Sequence, residues 1–126
     1  MVTTGKIVAI APLFLVDDLE RSIAYYRDRL GFELDFVYDD FYASVSRDGR
    51  AIHLKHASKV AADRAHRKQN EHLDVTVAVS DARALFGELQ GRGAAIMKSL
   101  EERPWACIDF YIEDPDGYIL CFSERI

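Results

Sequence analysis

Residues 16–32 read VDDLERSIAYYRDRLGF, and the fold turns on what they repeat. Asp17 or Asp18 can cap a helix, because a short acceptor side chain satisfies the first free N–H groups. Leu19, Ile23, Tyr26 and Leu30 then recur at helical spacing and define one buried face, with Tyr26 in the core and Tyr25 half-exposed. Gly31 is the expected stop. Sixty-three residues on, Val79, Asp81, Phe86 and Leu89 stand where Val16, Asp18, Ile23 and Tyr26 stand in the first stretch. Ser80 or Asp81 caps this second helix. It ends near Gly91 and Gly93.

The flanks of both stretches also match. Residues 7–16 (IVAIAPLFLV) form an apolar run that reads as a buried strand. Residues 32–38, 41–46 and 50–56 read as three more, the last two joined by Arg47-Asp48-Gly49, a hairpin signal. In the second half, residues 73–79 alternate strictly, and strands follow near 94–98, 106–112 and 118–123. Asp114-Pro115-Asp116-Gly117 turns the last pair. The chain is thus βαβββ written twice, the mark of a duplicated unit. Module one spans about 5–57 and module two about 72–126, with a polar linker over about 58–71, and all 126 residues form one domain. Neither half can close a core alone.

Composition narrows the function. Sixteen Lys and Arg against 21 Asp and Glu give −5, the wrong sign for a nucleic-acid binder. The longest apolar run is about half a membrane span. No secretory leader pattern precedes it. Two cysteines, Cys107 and Cys121, make no disulfide framework and suit a reducing, cytoplasmic setting. No phosphate loop or dinucleotide fingerprint occurs, because Gly87, Gly91 and Gly93 lie in or after a helical pattern.

Two stretches carry a family likeness. One is Val16 to Tyr26 with Leu30-Gly31-Phe32. The other is Pro104-Trp105 followed by Phe110-Tyr111-Ile112-Glu113-Asp114-Pro115-Asp116-Gly117. Together they resemble the vicinal oxygen chelate superfamily of glyoxalases, extradiol dioxygenases and bleomycin-resistance proteins, closest to the last. The resemblance implies an α+β fold in which two βαβββ modules curve a mixed sheet around a cleft, helices outside. By strand parity Ala11, Leu13, Leu15, His53, Lys55, Asp74, Thr76, Ala78, Asp109, Tyr111, Ile119 and Cys121 face the cleft, while Val75, Val77 and Val79 lie under a helix. It also implies a homodimer.

Metal-using members place one ligand on each of four strands. Here those slots hold Ala11, His53, Asp74 and Cys121. Ala11 has no donor atom. His, Asp and Cys can hold zinc in principle, but a Cys in an apolar strand is more simply a buried hydrophobe. No cofactor is expected on that ground. His53 and His56 lie on opposite strand faces, and His56, His66 and His72 read as solvated.

The expected site is a binding cleft. Tyr38, Phe41, Tyr42, Trp105 and Tyr111 supply aromatic rings, and His53, Lys55, Asp74, Thr76, Asp109 and Cys121 supply polar groups. Rings stack on flat ligands and attract cations, and Asp39, Asp40, Asp74 and Asp109 add negative charge. A cationic or heteroaromatic molecule of the bleomycin type would suit such a cleft, held by sequestration without chemistry. Trp105 can equally be a packing plug, and Asp39-Asp40 a solvated turn. Two other functions fit the same residues: a metal-dependent lyase, isomerase or dioxygenase with divergent ligands, and a scaffold with a filled cleft.

Overall fold

The computed structural model describes residues 5–58 and 73–126. His66 and His72, and nearly all of the expected linker, lie outside the described residues. Module one runs β1 (Leu13–Val16), α1 (Leu19–Ala24), β2 (Glu33–Tyr38), β3 (Tyr42–Arg47) and β4 (Arg50–His56). Module two runs β5 (Val75–Ala78), α2 (Ala82–Gly91), β6 (Ile96–Arg103), β7 (Cys107–Glu113) and β8 (Ile119–Arg125). Each builds a four-stranded mixed sheet, ordered β1-β4-β3-β2 and β5-β8-β7-β6. The α+β class and the doubled βαβββ order are as the sequence implies.

Local chemistry sets both helices. The Asp18 carboxylate accepts from the Arg21 N–H at 3.1 Å, and the Asp81 carboxylate from the Ala84 N–H at 3.0 Å. Asp18→Ala is expected to cost about 0.5–2 kcal/mol, the usual loss of a helix cap. Thermal melting checks this, and an unchanged midpoint would show that the cap bond is dispensable. After Ala24 the helix widens into a π turn, Tyr25–Arg29, a rare geometry that adds a residue to the turn. The two tyrosines at its start are those that reach module two. Gly31 then reverses the chain at φ +73°, a left-handed conformation that favours glycine, and a Cβ there would also press on Arg47 Nη1 at 2.7 Å.

The helix-covered faces of both sheets share one core. Phe14, Val16, Val45 and Leu54 from module one and Phe110, Ile112, Leu120 and Phe122 from module two belong to a single buried cluster with Leu19, Ile23, Tyr26 and Leu89 of the helical segments. Burying each large apolar side chain is worth about 1.5–3 kcal/mol. Val75, Val77 and Val79 pack against this cluster as strand parity implies.

A polar clamp joins the modules beside that core. The Asp116 carboxylate accepts from the Asp17 N–H, the Arg21 guanidinium and the Ser22 hydroxyl at 3.0–3.2 Å. The Tyr26 hydroxyl donates to Asp114 at 2.8 Å, and the Tyr25 hydroxyl donates to the Glu113 carbonyl at 2.9 Å. Burial first, and the neighbouring Asp114 charge second, hold the Tyr26 phenol well above its ordinary pKa. On the other side Arg47 forks onto both oxygens of Glu88 at 2.7 and 2.8 Å. The Asp114–Gly117 turn is therefore structural as well as a turn signal.

Three strand expectations need correction. The run 7–16 is not a buried strand throughout. Only Leu13–Val16 pair, while Ile7, Val8 and Ile10 are 84%, 94% and 85% exposed. Pairing with β4 begins where the Pro12 carbonyl accepts from the His53 N–H, and no described strand lies alongside the residues before it. β6 extends to Arg103, well past residue 98, held by its pairing with β7 despite two bulges. β2, at the edge of its sheet, is exposed along its whole length and does not alternate in burial, so neither of its faces is covered by the core.

Candidate functional site

The face of each sheet turned away from the core carries the expected site residues. On the module-one sheet, register aligns Leu13, His53, Ser44 and Phe36 across the strands, and Leu15, Lys55, Tyr42 and Tyr38 beside them. Paired positions point to the same side, so His53, Lys55, Tyr42 and Tyr38 share this face. Phe36 joins them because β2 bulges between Leu34 and Phe36. A bulge inserts one residue and resets the parity beyond it. The extra residue, Asp35, accepts from the Ser44 and Ser46 hydroxyls at 2.8 and 2.7 Å.

The result is an aromatic cluster. Phe36 stacks with Tyr42 at 6.4 Å, Phe41 meets Tyr42 edge-on at 6.3 Å, and Tyr38 meets Phe41 at 5.8 Å. The Tyr42 hydroxyl lies 2.7 Å from His53 Nδ1. Phe36 and Tyr38 remain 47% and 65% exposed. A flat apolar face with one hydrogen-bonded imidazole in it has the make-up of a ligand wall.

On the module-two sheet, register aligns Thr76, Cys121 and Tyr111, and Ala78, Ser123 and Asp109. Tyr111, Ile119 and Cys121 form a second, smaller buried cluster with Leu73 and Met97 against it. Asp109 is buried and ion-paired to Arg103 Nε at 2.7 Å. Arg103 was not among the expected residues. Its signal was weak, a basic residue beside a Pro-Trp turn. Trp105 sits in the turn after β6 and is 65% exposed, which excludes the packing-plug reading.

The expected site residues therefore fall into two sets. Tyr38, Phe41, Tyr42, His53 and Lys55 belong to one sheet, and Asp74, Thr76, Asp109, Tyr111 and Cys121 to the other. Among the described residues, no side-chain hydrogen bond, ion pair or ring contact joins one set to the other. An open groove of about 800 Å³ runs along β5 and α2, lined by Ile10, Ile52, Val77, Leu85 and Phe122 among others; of the expected site residues only Thr76 borders it.

The carboxylates behind the expected cation preference are largely engaged. Asp74 Oδ2 accepts from the Ile119 N–H at 2.8 Å. Asp109 neutralises Arg103. Asp39 and Asp40 form the exposed β2–β3 turn with φ of +50° and +56°, the solvated-turn reading.

The four family metal slots do not fit a divalent ion. Ala11 offers no donor and precedes β1. Burial, and after it the Asp109 charge, push the Cys121 thiol up to about 12, in keeping with a buried apolar cysteine. His53 keeps a donor nitrogen, Nε2, because among the described residues only its Nδ1 is hydrogen-bonded, to the Tyr42 hydroxyl. No group of three or more His, Cys, Asp or Glu among the described residues is placed to hold a metal.

Comparison with known proteins gives the lineage. A glyoxalase-related enzyme from Clostridium phytofermentans is similar over 97% of this chain and 98% of its own, at 19% identity and a TM-score of 0.77. The bleomycin-binding protein of bleomycin-producing Streptomyces verticillus, solved with copper(II)-bleomycin, is similar over 98% of this chain and 100% of its own, at 21% identity and a TM-score of 0.70. A glyoxalase/bleomycin resistance protein/dioxygenase from Nocardioides covers 99% of this chain and 87% of its own, at 20% identity and a TM-score of 0.70. At these identities the likeness speaks to fold. The family model of the Glyoxalase/Bleomycin resistance protein/Dioxygenase superfamily matches residues 6–122, and the chain belongs to that superfamily.

Proposed function

We propose that this protein binds a flat heteroaromatic small molecule, without a resident metal, in a cleft that one copy completes with a second. The observation that carries the reading is the exposed cluster of Phe36, Tyr38, Phe41 and Tyr42 around His53. Such a face stacks on a planar guest. Nothing in the donor set calls for chemistry on the guest, so the work is sequestration, and a toxic guest would be neutralised by occupancy alone. The likeness to the bleomycin-binding protein of Streptomyces verticillus supports the ligand class.

The second copy follows from the separation of the two residue sets and from uncovered apolar surface. Leu13, Leu15, Phe36 and Tyr38 are exposed on one sheet face, and Ile7, Val8 and Ile10 on the arm before it. Exposed apolar side chains in this number on one side of a small chain suit an interaction site. A two-fold pair sets the aromatic face of one copy against the module-two face of the other, and each cleft then draws on both chains. The free thiols of Cys107 and Cys121 suit a reducing, cytoplasmic setting.

The test is titration with metal-free bleomycin and a set of flat heteroaromatic dyes, followed by fluorescence of the one tryptophan, Trp105, and by sedimentation. Saturable quenching by at least one compound and a mass of two chains are expected. Tyr42→Ala should weaken that binding by about 1–3 kcal/mol, the span for an aromatic anchor. Absence of any change in fluorescence or melting across the whole set would overturn the reading.

A further inference from the structure

Arg103 ends β6 on the module-two face and is almost wholly covered, with 8% of its side chain exposed. Its Nε donates to Asp109 at 2.7 Å and its Nη1 to Glu101 at 2.9 Å. The third nitrogen, Nη2, is buried and has no hydrogen-bond partner among the described residues. Buried donors are rarely left unused, because an unmade hydrogen bond is costly once the group has lost its water. Cζ of the same guanidinium lies 5.7 Å from the centre of the Tyr111 ring, and Lys98 Nζ lies 5.5 Å from it. Two cations thus lie close to one ring. The buried carboxylate beside them, Asp109, is already engaged by Nε.

We propose that Arg103 Nη2 is the subsite for an acceptor oxygen on the aromatic guest, a carboxylate above all. The proposal rests on the binding reading above and gives the guest its polar end. A guanidinium whose one edge is fixed by Asp109 keeps a rigid, charged donor for a second acceptor. The guest stacks its ring and sets its carboxylate against the positive side of Tyr111. The Nη2 atom is covered here, so occupancy by the guest requires it to be uncovered. Selectivity then runs toward acids, opposite to what the net acidic sequence suggests.

The experiment compares 2-naphthoate with (2-naphthyl)methylammonium, a pair alike in ring and opposite in charge, by calorimetry on the full chain. Naphthoate is expected to bind at least about tenfold tighter, the value of one charge-assisted hydrogen bond. Arg103→Lys keeps the charge beside Asp109 but loses the fork, and should cut the preference to about threefold or less. Arg103→Met combined with Asp109→Asn removes both charges at once, should abolish the preference, and guards against a misfolded single variant, with circular dichroism as the check on folding. Equal or better binding of the ammonium overturns the proposal, as does a preference unchanged in folded variants or no binding of either compound. If the flat dyes still bind when the acid shows no advantage, only the acceptor subsite fails. If the dyes fail too, the aromatic reading falls with it.

Discussion

Asp116→Ala is expected to destabilise the protein by about 3 kcal/mol, well beyond the loss of a helix cap. The carboxylate is 7% exposed and holds three donors from the start of the first helix: the Asp17 N–H, the Ser22 hydroxyl and Arg21. Truncation leaves the fully buried Ser22 hydroxyl and a part-buried backbone N–H without acceptors, each costing about 1–3 kcal/mol. Arg21 is half-exposed and recovers its hydration, so the ion pair itself adds little. Asp116→Asn keeps one acceptor oxygen and should lose about 1 kcal/mol. Urea unfolding measures both. A loss below about 1 kcal/mol for the alanine variant would show that the clamp is a consequence of module packing and not one of its causes.

The clamp also shows why part of the fold was legible in the sequence and part was not. The signals that worked are local. Asp18 and Asp81 cap their own helices, Asp48-Gly49 turns its own hairpin at φ of +52° and +77°, and Gly31 stops its own helix. Each depends on backbone preferences within a few residues. The Asp114–Gly117 turn was legible as a turn for the same reason. Its second role, gripping Asp17, Ser22 and Tyr26 some 88–99 positions away, has no local mark.

The failures are cases where a distant partner decides. Ile7 to Ile10 look like core because they are apolar, yet burial needs a neighbour that the described chain does not provide. Residues 99–103 carry charges and no clear alternation, and pairing with β7 makes them strand. At the candidate site, parity put His53 and Lys55 on one face, and the register aligns them with Ser44 and Tyr42. Phe36 has no mark in the sequence that separates it from a core aromatic, and the bulge at Asp35 sets it beside Ser44. Arg103 was missed because a basic residue near a turn reads as solvated, and only the packing around Asp109 and Tyr111 buries it.

Asp114 supplies the other large effect, and it depends on pH. Burial raises its carboxyl from the ordinary 3.8 to about 6, against the pull of the Tyr26 hydroxyl and the Tyr118 N–H, which favour the charged form. The folded protein therefore keeps this proton through a range in which the unfolded chain has released it. Stability from this group is complete below pH 4 and is lost as pH rises through about 6. The loss is about 3 kcal/mol at most, because each tenfold change in acidity is worth about 1.4 kcal/mol. Glu88 acts in the opposite sense, because hydrogen bonding to Arg47 lowers its pKa, and it destabilises only on acidification. Asp114 is isolated by comparison with Asp114→Asn. Asparagine still accepts from the Asp116 and Tyr118 N–H groups through one oxygen, loses the acceptor for Tyr26, and never ionises. The variant should be slightly less stable than wild type at pH 4. By pH 8 the difference should move in its favour by about 3 kcal/mol. Parallel stability profiles for the two proteins from pH 4 to pH 8 would mean that Asp114 is ionised in the fold at every pH tested, and that its three donors outweigh its burial.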